Sequence, residues 1–280
     1  MQLFKKIKAI VKISRPINLL ITFFSILVGA AICIKGIYFL DKIILAAVSG
    51  VLISASGNII NDIFDIEIDK INRPDRVLVK GDLKINEAVI TYILFAYTGI
   101  FISSYVNYNA LIISTSASIL LLLYSYKLKQ MLLLGNTVVA VMTGMVFIYG
   151  GAAVQNIKPA VIPALFAFVI NFIREIIKDM EDIEGDTKTG IKTFPVKYGF
   201  NVAKKLIIIF SMLLILFTFY PFVLKIYGIK YLIIILVLVN PILIYFLKSL
   251  MDDDSRKNLN KLSFILKLNM VFGLLAIFLG

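Results

Sequence analysis

Residues 43–76 read I-I-L-A-A-V-S-G-V-L-I-S-A-S-G-N-I-I-N-D-I-F-D-I-E-I-D-K-I-N-R-P-D-R. The stretch is uncharged up to Asn61 and then delivers Asp62, Asp65 and Asp69, at spacings of three and four. A run of roughly 20 apolar residues is what a helix needs to cross a bilayer. On a helix, the aspartate spacing keeps all three carboxylates within roughly 60° of arc. A membrane span that ends in a one-faced triad of carboxylates reads as a binding site for something positive. It also sets the fold class: an all-α membrane protein.

The rest of the chain agrees. Its 280 residues are 60% apolar, with a mean hydropathy of +0.95, well above a soluble domain. Nine candidate spans are expected near 17–35, 43–63, 88–106, 109–126, 132–152, 159–178, 204–224, 229–247 and 262–279. The first is too long for a signal-peptide core and no small-residue cleavage site follows it, so it is expected to be retained. With the N-terminus in the cytoplasm, the inside segments carry 24 of the 29 Lys and Arg, leaving Lys35, Lys42, Lys158, Lys225 and Lys230 outside. A miscounted span would swap every later loop and destroy that asymmetry. The expectation is therefore nine transmembrane helices, N-terminus cytoplasmic, in one domain over residues 1–280, lodged in the cell membrane. The net charge of +12 is explained by those loops without invoking nucleic acid. No histidine is present, which excludes imidazole acid–base chemistry and His-ligated zinc. The single cysteine, Cys33, excludes an intrachain disulfide and a multi-Cys metal site.

A second acidic stretch, R-E-I-I-K-D-M-E-D-I-E-G-D at 174–186, closes the sixth span on the same side. Asp179, Asp182 and Asp186 repeat the spacing of Asp62, Asp65 and Asp69, and Glu175 aligns with Asn58. Six carboxylates at one face would repel unless neutralised. Oxygen-only ligands suit a hard cation, and Mg²⁺ is commonly held by one or two carboxylates together with waters and substrate phosphates. Paired triads thus point to Mg²⁺ ions bridging a diphosphate. Arg73, Arg76, Lys127, Lys129, Arg174, Lys178, Lys188 and Lys192 fall on the same side and would neutralise phosphate oxygens beyond the metal's reach.

N-D-I-F-D-I-E-I-D at 61–69, followed by N-R-P-D-R, resembles the first aspartate-rich motif of the UbiA-type intramembrane prenyltransferases, and K-D-M-E-D-I-E-G-D at 178–186 resembles the second. S-R-P-I-N at 14–18, Y-S-Y-K-L-K at 124–129 and L-L-G-N at 133–136 fit as well. The resemblance runs to about Gly199; the last three helices share only their apolarity. It implies a bundle around a central cavity, with both motifs capping it on the cytoplasmic side. Asp62, Asp65, Asp69, Asp179, Asp182 and Asp186 would be the catalytic metal ligands, assisted by Asn61, with Asn18 and Tyr124 joining the basic residues in binding substrate. Within the family the two motifs are most similar to the branch that adds a geranylgeranyl group, from geranylgeranyl diphosphate, to the hydroxyl of geranylgeranylglyceryl phosphate in archaeal ether-lipid synthesis. One departure is Val77-Leu78-Val79, where many relatives carry a proline, which leaves the shape of that loop open.

The implied partners are a prenyl diphosphate donor, a lipid acceptor and membrane lipids; no protein partner is expected. Phe64, Tyr124, Tyr126 and Tyr149 are candidates to face an allylic cation, and Glu67 or Glu175 to act as base. Gly144, Gly150 and Gly151 allow either close helix packing or an opening toward lipid. Two other readings stay open: prenyl transfer to an aromatic acceptor, and a transporter with an acidic cation-binding cavity.

Overall fold

A computed structural model of the chain describes residues 2–34, 40–188 and 190–280; Lys35, counted above on the outside, lies outside them. Among the described residues the secondary structure is helical with no strand. The helices are α1 (Gln2–Ile13), α2 (Pro16–Ala31), α3 (Leu40–Phe64), α4 (Ile66–Asn72), α5 (Ile85–Val106), α6 (Tyr108–Tyr126), α7 (Leu134–Ala153), α8 (Val161–Glu181), α9 (Ile183–Lys188), α10 (Phe194–Tyr198), α11 (Phe200–Val223), α12 (Ile229–Ile234), α13 (Asn240–Asp252) and α14 (Arg256–Leu279). A π-helical turn, Ile235–Val239, joins α12 to α13 into one long span. Among the described residues eight helical segments are long and apolar enough to cross a membrane, and a ninth is present if α1 and α2 count together.

That proviso is informative. At 1.5 Å per residue, the 16 residues of α2 reach only about 24 Å, short of a bilayer core of roughly 30 Å. The helix axis bends by 58° between α1 and α2. The cause is local: Arg15 adopts a left-handed backbone (φ 58°), and Pro16 at the first position of α2 disfavours a helical residue before it.

The chain divides into two compact units. Unit 1 comprises Met1–Lys129 with Val146–Ala160, and unit 2 comprises Gln130–Met145 with Val161–Gly280. In unit 1, α3 is the central element, packed against α2, α5 and α6. Small residues set the distances. A Cβ on Gly29 would sit 2.6 Å from the Phe147 carbonyl oxygen, and one on Gly150 would sit 2.8 Å from the Ala30 amide nitrogen. Close backbone approach, not an opening to lipid, is therefore what Gly150 provides. The α5–α6 turn is a single residue, Asn107, whose Oδ1 accepts the Ala110 amide while its Nδ2 donates to the Ala152 carbonyl at 2.8 Å. Near the aspartates, Ala9, Ile13, Ile59, Val77, Leu83 and Ala88 form one buried apolar cluster. Val77 fixes the loop whose shape the sequence left open.

In unit 2, α8 packs on α11 and α14, and α14 packs on α12 and α13. Phe172 meets Phe210, and Phe166 meets Phe217, both at ring centroid distances of 4.9 Å. Gly144 again marks a close approach, 2.7 Å from the Ala164 carbonyl oxygen to an added Cβ.

Candidate metal and diphosphate site

In unit 1 the aspartate triad does not lie on one unbroken helix, as its spacing suggests. Helix α3 ends at Phe64, α4 starts at Ile66, and Asp65 between them has φ −97° and ψ 4°. The i→i−4 bonds nevertheless continue through the break, from Asp65 to Asn61 at 3.0 Å and from Asp69 to Asp65 at 2.8 Å. The side chains thus keep a helical succession across the break. The same feature recurs in unit 2, where Asp182 separates α8 from α9, with bonds to Lys178 at 2.9 Å and from Asp186 at 3.1 Å. In each triad the α-helical run is interrupted at the middle aspartate.

Each carboxylate has its own surroundings. Asp62 is 2% exposed and takes Arg15 at 2.5 Å and Arg76 at 2.7 and 2.9 Å. Asn58 donates to the Ser14 carbonyl at 3.0 Å, so the α1–α2 bend is tied to α3 twice. Asp65 accepts the Asn61 amide at 2.7 Å and pairs with Lys129. Asp69 is buried; loss of hydration pushes its pKa up to about 6, against the pull of Arg76 and with a further push from Asp62 and Asp65.

The second segment is arranged differently. Asp179 accepts the Asn136 amide at 2.8 Å. Asp186, buried, accepts the Thr193 hydroxyl at 3.2 Å. The cations gather instead on buried Glu175, which takes Arg174 at 3.1 Å and Lys178 at 2.9 Å. Glu181, the other buried acid here, accepts the Asn260 amide at 2.9 Å.

The other expected residues lie on and around these segments, with the Arg73 amide donating to the Asp69 carbonyl at 2.8 Å. Lys127 and Lys192 are exposed, and Lys188 is exposed and paired with Glu184 at 2.6 Å. Asn18, Arg73 and Tyr124 are half-buried, in the first turn of α2, at the end of α4 and in the last turns of α6. Glu67 is exposed and paired with Lys70, and Glu175 is engaged by two cations, so neither presents an idle carboxylate to act as base. Phe64 and Tyr126, both exposed, meet edge to face at 6.0 Å. Tyr149 bonds to Ser49 at 2.8 Å among buried helices and serves packing. Three residues of the site were not singled out from the sequence: Arg15, Asn136 and Thr193. Arg15 and Asn136 lie inside S-R-P-I-N and L-L-G-N, and their polar side chains at the ends of apolar runs were the available signal.

Among the described residues no three carboxylates come close enough to enclose a metal ion by themselves. That suits Mg²⁺, which keeps waters and substrate oxygens in its shell and needs only one or two carboxylates from the protein. The donor set is oxygen throughout, and buried Asp69 lacks enough positive charge nearby to hold an ordinary carboxylate pKa. Asp65 with Asn61, Asp69, Asp179, Asp182 and Asp186 fit such an ion. Asp62, held by two guanidinium groups, fits it only if those groups yield.

The chain is a multi-pass helical protein of the class of intramembrane enzymes that transfer prenyl groups. More specifically, the chain belongs to the UbiA prenyltransferase family, whose sequence profile matches residues 22–271. It is 35% identical to digeranylgeranylglyceryl phosphate synthase of Methanopyrus kandleri, over 96% of this chain and 97% of that protein. It is 37% identical to the enzyme of that name in Thermococcus sibiricus, over 98% of both chains. A solved structure described as digeranylgeranylglyceryl phosphate synthase in membranes superposes with a TM-score of 0.76, at 35% identity and 98% coverage of both chains. The fold is shared with a UbiA homologue of Archaeoglobus fulgidus bound to GPP and Mg²⁺, with a TM-score of 0.69, 20% identity, and coverage of 96% of this chain and 99% of that one.

Proposed function

We propose that the chain transfers a geranylgeranyl group from geranylgeranyl diphosphate to the hydroxyl of geranylgeranylglyceryl phosphate, with Mg²⁺ and release of diphosphate, in archaeal ether-lipid synthesis. The observation that carries this reading is the near-full-length likeness to digeranylgeranylglyceryl phosphate synthases, spanning both aspartate segments. The same likeness supports treating residues 1–280 as one prenyltransferase domain, since the family match runs unbroken through both units.

Asp62, Asp65, Asp69, Asp179, Asp182 and Asp186, with Asn61, are proposed to hold the donor diphosphate through Mg²⁺. When bound, the ion supplies Lewis-acid stabilisation of the charge that develops on the leaving diphosphate. The chain's own residues do the rest. Lys129 brings its ammonium to Asp65, where it can pass to a phosphate oxygen as that carboxylate turns to metal. Arg15 and Arg76 hold two guanidinium groups around Asp62, more positive charge than one carboxylate cancels, which favours an anion beside them. Arg174 and Lys178 meet at Glu175, beside Asp179. Asn136 and Thr193 orient Asp179 and Asp186 by donating to their carboxylates. Asn18, Arg73, Tyr124, Lys127, Lys188 and Lys192 are proposed to contact substrate from the periphery.

The protein is proposed to lie in the cell membrane with both aspartate segments facing the cytoplasm, supported by the placement of 24 of 29 basic residues on that side. The direct test incubates purified protein with geranylgeranyl diphosphate, Mg²⁺ and either geranylgeranylglyceryl phosphate or an aromatic acid. The expected product is the doubly prenylated glycerol phosphate, with Mg²⁺-dependent diphosphate release. Product from the aromatic acceptor alone would move the enzyme to the quinone branch.

A further inference from the structure

We propose that α1 is an interfacial helix that lies along the membrane surface and binds its anionic headgroup layer, rather than forming the first part of a span. The helix presents three different faces. Ala9 and Ile13 are buried, packed with Ile59, Val77 and Leu83 of the protein. Phe4, Ile7 and Val11 point away from the protein, 76%, 51% and 52% exposed. Lys5, Lys8 and Lys12 are exposed as well, and α1 contains no acidic residue. At 100° per residue, the apolar stripe and the lysine stripe are centred roughly 100° apart, and both lie away from the buried face. A helix that runs beside a membrane protein needs this set: one face for the protein, one for the acyl layer, one for headgroups and water.

The roll of α1 is fixed, so the exposure of the two stripes does not depend on a loose tail. Lys6 pairs with Glu87 at 2.5 Å on the protein side, and Lys12 donates to the Asp75 carbonyl at 3.2 Å. The 58° bend is held by Asn58 on the Ser14 carbonyl and by Arg15 on Asp62, so α1 cannot straighten to lengthen α2. Lys5, Lys8 and Lys12 recur at three- and four-residue spacing, which makes one basic line along α1. Charge complementarity therefore selects an anionic lipid surface as the occupant. An aqueous face would leave Phe4, Ile7 and Val11 uncovered, and an apolar protein partner would leave the lysines without counter-charge.

The test uses the full chain in lipid nanodiscs, with Cys33 replaced by Ser and a nitroxide placed singly at 4, 5, 7, 8, 11 or 12. All six positions are exposed, so the labels do not disturb the core. Collision with oxygen, which concentrates in the acyl layer, is compared with collision with a water-soluble nickel chelate. The expected result is a severalfold higher oxygen-to-nickel ratio at 4, 7 and 11 than at 5, 8 and 12. The label at 7 should also move deeper when phosphatidylglycerol is added to phosphatidylcholine discs, and Lys5→Glu with Lys8→Glu should abolish that shift. Nickel access at 4, 7 and 11 equal to that of a label at exposed Asp253 would overturn the interfacial placement. Depths identical in neutral and anionic discs would overturn the assignment to an anionic surface.

Discussion

The two aspartate segments share spacing, a helix break at the middle aspartate and a place at a helix end, yet their acids are met by different partners. In residues 58–76 the aspartates themselves carry the cations: two arginines on Asp62 and a lysine on Asp65. In residues 174–186 a separate acid, Glu175, collects Arg174 and Lys178, while Asp179 and Asp186 receive a neutral amide and a neutral hydroxyl. The aligned position in the first segment is Asn58, which has no charge to attract a cation and bonds a backbone carbonyl instead. The acid that collects two cations in the second segment thus stands where the first has an uncharged amide. Asp179 thus meets a neutral amide where Asp62 meets two guanidinium groups, which makes Asp179 the better placed of the two for a metal ion.

If so, Asp179→Asn should be the most damaging single change to the reaction. A loss of roughly a thousandfold in kcat is expected, the scale on which removal of a dedicated transition-state group acts. Diphosphate release at saturating donor would measure it, and near-normal turnover would erase the contrast. Asp62→Ala acts first on the fold, because it leaves Arg15 and Arg76 facing each other without their shared carboxylate. Breaking a buried ion pair from one side costs about 3 kcal/mol or more, so Asp62→Ala should lower the thermal unfolding midpoint well below that of Asp179→Asn. Equal midpoints would mean that Asp62 is no more engaged than Asp179.

The raised pKa of Asp69 gives a third handle. In the metal-free protein the folded state holds this proton up to pH about 6, above the ordinary carboxylate value. Its contribution to stability is present below that ordinary value and is lost as pH rises through 6. Mg²⁺ binds the ionised form, so its affinity runs the other way and should be about tenfold weaker at pH 5 than at pH 7, since one unit below the pKa leaves about a tenth ionised. Melting-temperature shifts against Mg²⁺ at both pH values would show this, and a flat profile would place Asp69 outside the metal shell. The smallest effect is expected at Asn136. Replacing it with Ala leaves Asp179 in place but unoriented, at a cost of about 1–3 kcal/mol, with Mg²⁺ affinity weakened and the fold kept.

Much of this was legible before any coordinates. The spans are long uncharged runs, the triads are fixed by spacing, and their repetition needs only counting. The partners of the carboxylates were not legible. Arg15 reaches Asp62 across 47 positions and Asn136 reaches Asp179 across 43, distances over which sequence spacing carries no geometric information. The eight cations named on that side look alike in the sequence, yet Lys129 meets an aspartate while Lys127, two residues earlier, is exposed. The helix breaks at Asp65 and Asp182 were hidden as well, because neither residue is a proline or a glycine. The same limit applies to α1, whose three faces separate only once the protein shows which one it covers.

The one-residue turn at Asn107 has a consequence for how the chain is built. Two spans joined by a single residue leave no room for independent insertion, so α5 and α6 enter the membrane together as a hairpin. Its tip stays unfinished until Ala152, 45 residues later, supplies the carbonyl that Asn107 requires. A nascent chain arrested before the end of α7 should therefore expose to labelling a cysteine placed at Ala110, which packs with Tyr149 and Ala153, and the released full-length protein should hide it.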